Sequence, residues 1–367
     1  MNIGSADERF MDEALELAEG AAGLTSPDPM VGAVIVKKGK IISRGYHAQV
    51  GTPHAESYAL MKAGRRSRGA TMYVNLEPCC HWGNNPPCVD LIIRAGIKRV
   101  VAAMKDPNPL VSGKGFRQLR SAGVKVRVGV LKDRAKKLNE AFVKHITRGV
   151  PFVTMKAAMS LDGKICTSGG ESRWISSKES RKLVHKMRGR VDAVMVGIGT
   201  VLKDDPSLTT RMIKGARKDP LKIIIDRNAR VPLSSKAVRH SPERTLVVVS
   251  RGAAGDRIKK LGKMGVRIFK APSRKDAVDL LAVMKFLGDE GVQSVMIEGG
   301  GGLAAGAINS GIVDRVMFFI APKIIGGREA LTPVEGAGVK RLADSVKLRD
   351  LACRKVGEDF LIEGRLS

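Results

Sequence analysis

The sequence predicts an α/β protein of two domains, and three observations carry that prediction. Short apolar runs of strand length alternate with segments whose apolar residues recur every three or four positions, the pattern of sheets covered by helices on both faces. The alternation restarts after Arg148-Gly149-Val150-Pro151, which sets domains at 1–149 and 150–367. A chain of 367 residues is also long enough for two cores of ordinary size. No repeat links the halves, and there is no low-complexity tail.

In the first half, Ser5-Ala6-Asp7-Glu8 reads as a capping box, and Phe10, Met11, Ala14, Leu15, Ala18 and Ala22 continue at helical spacing to Gly23. Val31 to Val36, a glycine-containing turn at 37–40 and Ile41-Ile42 read as a β-hairpin. A helix then starts at His54 and stops at Gly64. Strand 71–76, a helix from Cys88, strand 99–104, helix 115–122, strand 124–130 and helix 131–147 follow. In the second half the expected strands are 152–159, 193–197, 221–226, 245–250, 266–269, 294–298, 315–321 and 360–363. Helices are expected at 178–187, 277–287 and 303–309.

The formal charge of +28 permits nucleic acid, anionic lipid or phosphorylated small molecules as partners. Its basic pairs, such as Lys37-Lys38, Arg65-Arg66, Lys136-Lys137 and Lys259-Lys260, are scattered, and aromatics are few. That pattern favours a generally basic, solvated surface over a tailored groove. No run of about 18 apolar residues exists, and the polar N-terminus has no signal-peptide pattern, so a cytoplasmic protein without membrane attachment is expected. Of five cysteines, Cys79, Cys80 and Cys88 crowd one stretch, which argues against a disulfide framework; Cys166 and Cys353 read as buried thiols.

That stretch carries the chemistry. His54, Cys79 and Cys88 supply three donors suited to tetrahedral Zn²⁺ with a fourth position open to water, and Glu56 is spaced to shuttle a proton without binding metal. The pattern His-x-Glu…Pro-Cys-x-x-Cys marks zinc nucleobase deaminases, and this chain departs from it only in placing Cys88 nine positions after Cys79. Cys80 or His81 as a fourth ligand would instead close the shell into a structural site. Pro86-Pro87 fix an extended entry, and Cys88 opens a helix whose N-terminus favours a thiolate.

In the second half, Glu298-Gly299-Gly300-Gly301-Gly302-Leu303-Ala304-Ala305-Gly306 joins a strand to a helix. Such backbone can hold a phosphate, or can be a purely structural turn. Arg188 and Arg211 could each bind phosphate bidentately or sit at the surface, and Trp174 could cover a ring or fill a core.

Taken together, both halves resemble the bifunctional riboflavin-biosynthesis deaminase/reductases of bacteria over essentially the whole chain. The stretches that carry the resemblance are 77–88, Lys105-Asp106-Pro107-Asn108-Pro109, Ser160-Leu161-Asp162-Gly163-Lys164, 168–175, 200–211 and Glu298-Gly299-Gly300. The resemblance implies a cytidine-deaminase-like domain followed by a dihydrofolate-reductase-like one. It implies that His54, Cys79 and Cys88 bind Zn²⁺, and that Glu56 donates and accepts protons while a zinc-activated water displaces the amine of a diaminopyrimidinone ribosyl phosphate. It further implies that NADPH then reduces the ribosyl group to a ribityl chain. Matching positions put Ser172, Arg188, Leu208, Arg211 and Glu298 at the substrate, with the arginines toward its phosphate. They put Ala158, Trp174, Thr200, Asp204, Arg227, Gly300, Gly301, Gly302, Leu303, Ala304, Ala305 and Gly306 at NADPH.

Such a protein takes a phosphorylated pyrimidine as its small-molecule partner and is expected to be a homo-oligomer; nucleic acid is not an expected partner. Relatives usually carry Asn where this chain has Asp28, and a basic residue followed by Thr where it has Asn84-Asn85. Losing a base and gaining an acid would weaken phosphate binding beside the deaminase substrate. The competing readings are a tRNA or nucleic-acid deaminase with an accessory domain, motivated by charge, and a zinc-stabilised binding protein without catalysis.

Overall fold

The computed structural model describes residues 5–83, 85–213, 218–274 and 277–367. The chain divides into two units, Met1–Gly149 and Val150–Ser367. Among the described residues, no helix is long and apolar enough to cross a membrane.

The first unit contains α1 (Ala6–Glu19), β1 (Gly32–Lys37), β2 (Lys40–Tyr46), α2 (Ala55–Ala63), β3 (Thr71–Leu76), α3 (Cys88–Arg94), β4 (Arg99–Met104), α4 (Lys114–Ser121), β5 (Lys125–Val128), α5 (Lys132–Leu138) and α6 (Glu140–Arg148). Its sheet runs in the order β2-β1-β3-β4-β5. The hairpin is antiparallel to β3, and β3, β4 and β5 are parallel. Side chains of the two sheet faces feed two cores, one under α2, α3 and α4, the other under α1 and α5. The capping box forms as expected, Ser5 N–H donating to Glu8 Oε2 at 2.8 Å, but α1 stops at Glu19, short of Gly23. Asp7 then ties this helix to the sheet: its carboxylate accepts from Tyr73 Oη at 2.7 Å and pairs with Arg99 and Arg127, each at 2.6 Å.

The hairpin lies so close to two helices that it tolerates no side chain at two positions. A Cβ on Gly32 would stand 2.1 Å from the Ala14 carbonyl in α1, and one on Gly45 would stand 2.3 Å from the Ala55 carbonyl in α2. The single helix expected over 131–147 is two helices, α5 and α6. They break at Asn139, which is buried with φ −103° and ψ 23°. Its amide is committed to a distant strand entry, accepting from Met30 N–H at 2.8 Å and donating to Met30 C=O at 2.9 Å. Satisfying that half-buried backbone pair outweighs continuing the helix.

The second unit contains β6 (Phe152–Ser160), α7 (Lys178–Arg188), β7 (Ala193–Gly197), α8 (Ile198–Asp204), β8 (Leu221–Ile225), α9 (Lys236–Arg239), β9 (Thr245–Ser250), α10 (Gly255–Lys263), β10 (Arg267–Ala271), β11 (Ser273–Arg274), β12 (Ala277–Val278), α11 (Leu280–Asp289), β13 (Ser294–Glu298), α12 (Gly301–Asn309), β14 (Arg315–Ala321), β15 (Leu348–Val356) and β16 (Asp359–Leu366). Nine strands form one sheet in the order β10-β9-β8-β7-β13-β6-β14-β16-β15. It is parallel from β10 to β14, and β16 and β15 add antiparallel. Apolar cores fill both faces.

Two expectations fail here for local reasons. The helix expected from 277 begins at Leu280, because the Asp279 carboxylate caps it by accepting from the N–H groups of Leu281 and Ala282. Ala277–Val278 pairs with Ser273–Arg274 instead. Strand β15 went unexpected because it has no alternating pattern: residues 348–355 are all exposed, and only pairing with β16 holds them. Cys353, read as a buried thiol, sits exposed on that strand, whereas Cys166 is buried.

Candidate active sites

In the first unit β3 delivers Glu77-Pro78-Cys79 at its carboxyl end. Glu77 is buried and accepts from the backbone N–H groups of Gly113 (2.9 Å), Phe116 (3.1 Å) and Asp106 (3.2 Å), which fastens the start of α4 and the segment after β4 beside the site. His54 is the N-cap of α2, Glu56 lies buried in that helix's first turn, and Cys88 opens α3 behind Pro87. The donor atoms of His54, Cys79 and Cys88 all lie within 4.8 Å of one another. His54 Nδ1 is 3.3 Å from Cys88 Sγ and 3.5 Å from Cys79 Sγ. Zn–N and Zn–S bonds of about 2.0 and 2.3 Å give tetrahedral edges of roughly 3.5 Å, so these residues fit a zinc ion. Among the described residues, Cys80 and His81 do not join the cluster, so three protein donors leave a fourth position open.

The electrostatics agree with that chemistry. Hydrogen bonding from Cys88, its thiol first and then its backbone N–H, together with His54, holds the Cys79 thiol down to about 4 against burial. Burial first, then the Cys79 charge, pushes the Glu56 carboxyl up to about 7. A carboxylic group poised there can take and return a proton near neutrality. These groups face a cavity of about 340 Å³ that Asp28, His47, Asp106 and Asn108 also line. Asp28 Oδ2 is 3.1 Å from Nε2 of the buried His47. Asn85 donates to Thr52 C=O at 3.2 Å; Asn84 lies outside the described residues. His47 was not singled out in the sequence, and Asp106 was quoted there without a role.

In the second unit a cavity of about 480 Å³ opens beside the carboxyl ends of β6, β7 and β13, within the range of small-molecule sites. It brings together Ser172, Arg188, Leu208, Arg211 and Glu298 with Ala158, Trp174, Thr200, Asp204, Gly300 and Ala304. At its floor Glu298 takes two parallel bonds from Arg188, Nε at 2.6 Å and Nη2 at 2.8 Å, with Lys156 Nζ 3.3 Å away. Burial opposes the Glu298 charge, but Arg188 and Lys156 overcome it and hold the carboxyl down at about 2. The third Arg188 donor goes to Thr209 C=O at 3.1 Å, so this arginine is committed to the protein. Arg211 is exposed, and its Nη1 makes a long bond of 3.4 Å to Thr209 Oγ1. The partial withdrawal of its charged end from water, and then the repulsion of Arg188 and Arg173, lower its affinity for a proton, and an anion beside it relieves that repulsion. Asp204 Oδ1 accepts from Ser172 Oγ at 2.9 Å. Trp174 is 59 % exposed at the cavity, with the Arg181 guanidinium 4.3 Å over its ring, so it fills no core.

The remaining positions fall elsewhere. Arg227, Gly301, Gly302, Leu303, Ala305 and Gly306 do not line this cavity. A Cβ on Gly301 would stand 2.3 Å from Glu335 Cγ and 2.6 Å from Thr332 C=O, so that glycine admits the 332–335 segment rather than a phosphate. The start of α12 nevertheless offers Gly299 and Gly300 at positive φ, beside Thr200, and open space at Gly302, a backbone surface that fits a nucleotide. Lys156 escaped the sequence reading, although a lone lysine in the apolar run 152–159 was a signal for it.

Comparison with known proteins finds a family match over each unit. Residues 4–104 match the cytidine and deoxycytidylate deaminase zinc-binding region, and residues 151–362 match the RibD C-terminal domain. The chain is 44% identical to the riboflavin biosynthesis protein RibD of Aquifex aeolicus over 98% of both chains. The structure of Acinetobacter baumannii RibD superposes with a TM-score of 0.89 at 34% identity, covering 99% of each chain. That of the Thermotoga maritima diaminohydroxyphosphoribosylaminopyrimidine deaminase/5-amino-6-(5-phosphoribosylamino)uracil reductase does so at 0.87 and 37%, with the same coverage. The match over 151–362 replaces the reading of a nucleic-acid deaminase with an unspecified accessory domain. The chain belongs to the RibD family, the bifunctional deaminase/reductases of riboflavin biosynthesis, which use zinc in an N-terminal cytidine-deaminase-like domain and NADPH in a C-terminal reductase domain.

Proposed function

We propose that residues 1–149 deaminate 2,5-diamino-6-(5-phosphoribosylamino)pyrimidin-4(3H)-one and that residues 150–367 reduce the ribosyl group of the product. The observation that carries this is the His54, Cys79 and Cys88 cluster with buried Glu56 against it. His54 Nδ1 and the two Sγ atoms would hold zinc, which would supply Lewis acidity for hydrolytic loss of an exocyclic amine. Glu56 takes a proton from the attacking water at its carboxylate and returns it to the departing nitrogen. Asp28 and His47 border the same cavity, and with Oδ2 facing His47 the other Asp28 oxygen is left to accept from ring N–H groups.

In the second domain Thr200, Trp174 and the start of α12 would hold NADPH, which would supply hydride. Arg211 and Ser172 receive the substrate phosphate. Arg188 orients Glu298, and the pair with Lys156 fixes the ribosyl group at the floor of the cavity. The exposed apolar side chains Leu348, Leu351 and Phe360 on β15 and β16 support a homo-oligomer through that edge. The lack of a membrane-spanning helix among the described residues is compatible with a cytoplasmic setting.

The test is incubation of zinc-loaded protein with the diaminopyrimidinone ribosyl phosphate and NADPH, with mass spectrometry of the products. A deaminated, ribityl product is expected. Deamination without reduction overturns the reductase assignment; no turnover overturns the deaminase assignment, and the deaminated intermediate supplied directly then tests the reductase alone.

A further inference from the structure

The high positive charge looked scattered in the sequence, but the fold of the first unit gathers it. The turn at 37–40, the link 62–70 into β3, the link 94–99 into β4 and the link 120–127 into β5 contain thirteen Lys and Arg and no Asp or Glu. The rest of residues 1–149 holds eleven Lys and Arg against thirteen Asp and Glu, so the unit's entire excess of positive charge lies in these four segments.

Register places them in one row. Thr71 pairs with Val36 on one side and Arg99 on the other, and Arg99 pairs with Lys125, so all four segments meet at the amino ends of the parallel strands. Lys37 Nζ donates to Arg66 C=O at 3.0 Å, and the Arg68 side chain lies on Gly96. The row crosses four strands spaced by about 4.8 Å, a width of roughly 15 Å. Cys79 leaves β3 at the opposite end.

Two ordinary explanations fall short. Helix dipoles account for Lys62, Arg94 and Arg120 in the last turns of α2, α3 and α4, but not for the remainder. Among the described residues, the ion pairs made by these segments run to Asp7 in the first turn of α1. Asp7 is buried and neutralises Arg99 and Arg127, while Glu8 is turned to the Ser5 N–H. Arg65, Arg66, Arg68, Lys98 and Lys125 are exposed.

We propose that this row is a binding surface for the phosphate backbone of double-helical nucleic acid, separate from catalysis. A duplex presents one negative charge per about 1.7 Å, roughly nine over the width of the row. The segments contain no Phe, Tyr or Trp on which single-stranded bases would stack. Of the exposed large apolar side chains only Met61 and Val128 adjoin the segments, too few and too small to anchor a membrane-surface element. Arg and Lys without base-reading amides or carboxylates give contacts that position a duplex and ignore its sequence.

The experiment uses the full-length, zinc-loaded protein and a fluorescent RNA duplex of about 20 base pairs, with anisotropy read across a salt series. A DNA duplex, single-stranded oligouridylate and vesicles of phosphatidylcholine with phosphatidylserine run in parallel. Both duplexes are expected to bind better than the single strand. The triple variant Arg65→Glu, Arg68→Glu, Lys98→Glu should lose at least tenfold in affinity and lower the log–log salt slope by about three. Its deamination rate should not change, because these residues lie at the end of the sheet away from Cys79. The variant Lys259→Glu, Lys260→Glu, Lys263→Glu carries the same change of charge on α10 of the second unit and should retain binding. Equal losses in both variants, binding to vesicles but not to duplex, or no duplex binding at low salt would each overturn the proposal.

Discussion

The two sites differ in how they are built. In the first unit the three zinc donors and Glu56 come from two helix starts and one strand end, and their atoms are already at ligand separations. In the second, the floor of the cavity is an ion-paired triad from three elements, β6, α7 and β13, and the part we propose for the substrate phosphate is an exposed arginine. A small preformed site concentrates its chemistry in short motifs. A wide nucleotide site distributes its work among residues that are individually ordinary.

The largest expected effect tests that contrast directly. Glu56→Gln should lower kcat for deamination by about 10³-fold while zinc content and reduction of the deaminated intermediate stay unchanged. Loss of zinc by elemental analysis would show that Glu56 serves the metal shell instead. Next, Arg188→Met removes the bidentate partner of a buried carboxylate and should destabilise the second unit by about 3 kcal/mol, read by urea unfolding, with deamination intact.

The sign of the pH effect follows from the depressed Glu298 carboxyl. Its stabilisation is complete above the ordinary value of 4.5 and is lost as pH falls toward about 2. Arg188→Met therefore raises the acid-unfolding midpoint of the second unit and leaves that of the first in place. Asn139→Ala should reverse the pattern, destabilising the first unit by about 2 kcal/mol because the Met30 N–H loses its partner, while Met30 C=O keeps the Asn75 amide at 2.9 Å. The smallest effect is kinetic. Arg211→Ala should raise the KM of the reductive step about tenfold with little change in kcat, the signature of lost phosphate binding.

The same contrast explains what the sequence revealed. His54, Glu56, Cys79 and Cys88 were legible because prolines and helix starts lie next to them, and local chemistry set their geometry. Lys156 and the committed role of Arg188 were not, because their partner Glu298 lies over a hundred residues away and meets them only through sheet order. The parallel strands were readable from buried runs such as Ala193–Gly197 and Thr245–Ser250. Strand β15 was not, since a strand exposed along its length has no inside for a pattern to mark. The break at Asn139 also escaped, for nothing near it in sequence announces a bond to Met30.

The contact between Gly45 and α2 reaches further than packing. Because α2 rests on bare backbone at that point, and its N-cap is His54, the position of the imidazole is set partly by a residue that touches no reactant. A library of single substitutions scored for deamination should therefore show an intolerant column at Gly45, where even alanine would lever the helix outward. Laboratory evolution of the pyrimidine pocket will find its freedom in the loops, while this hairpin stays closed to drift.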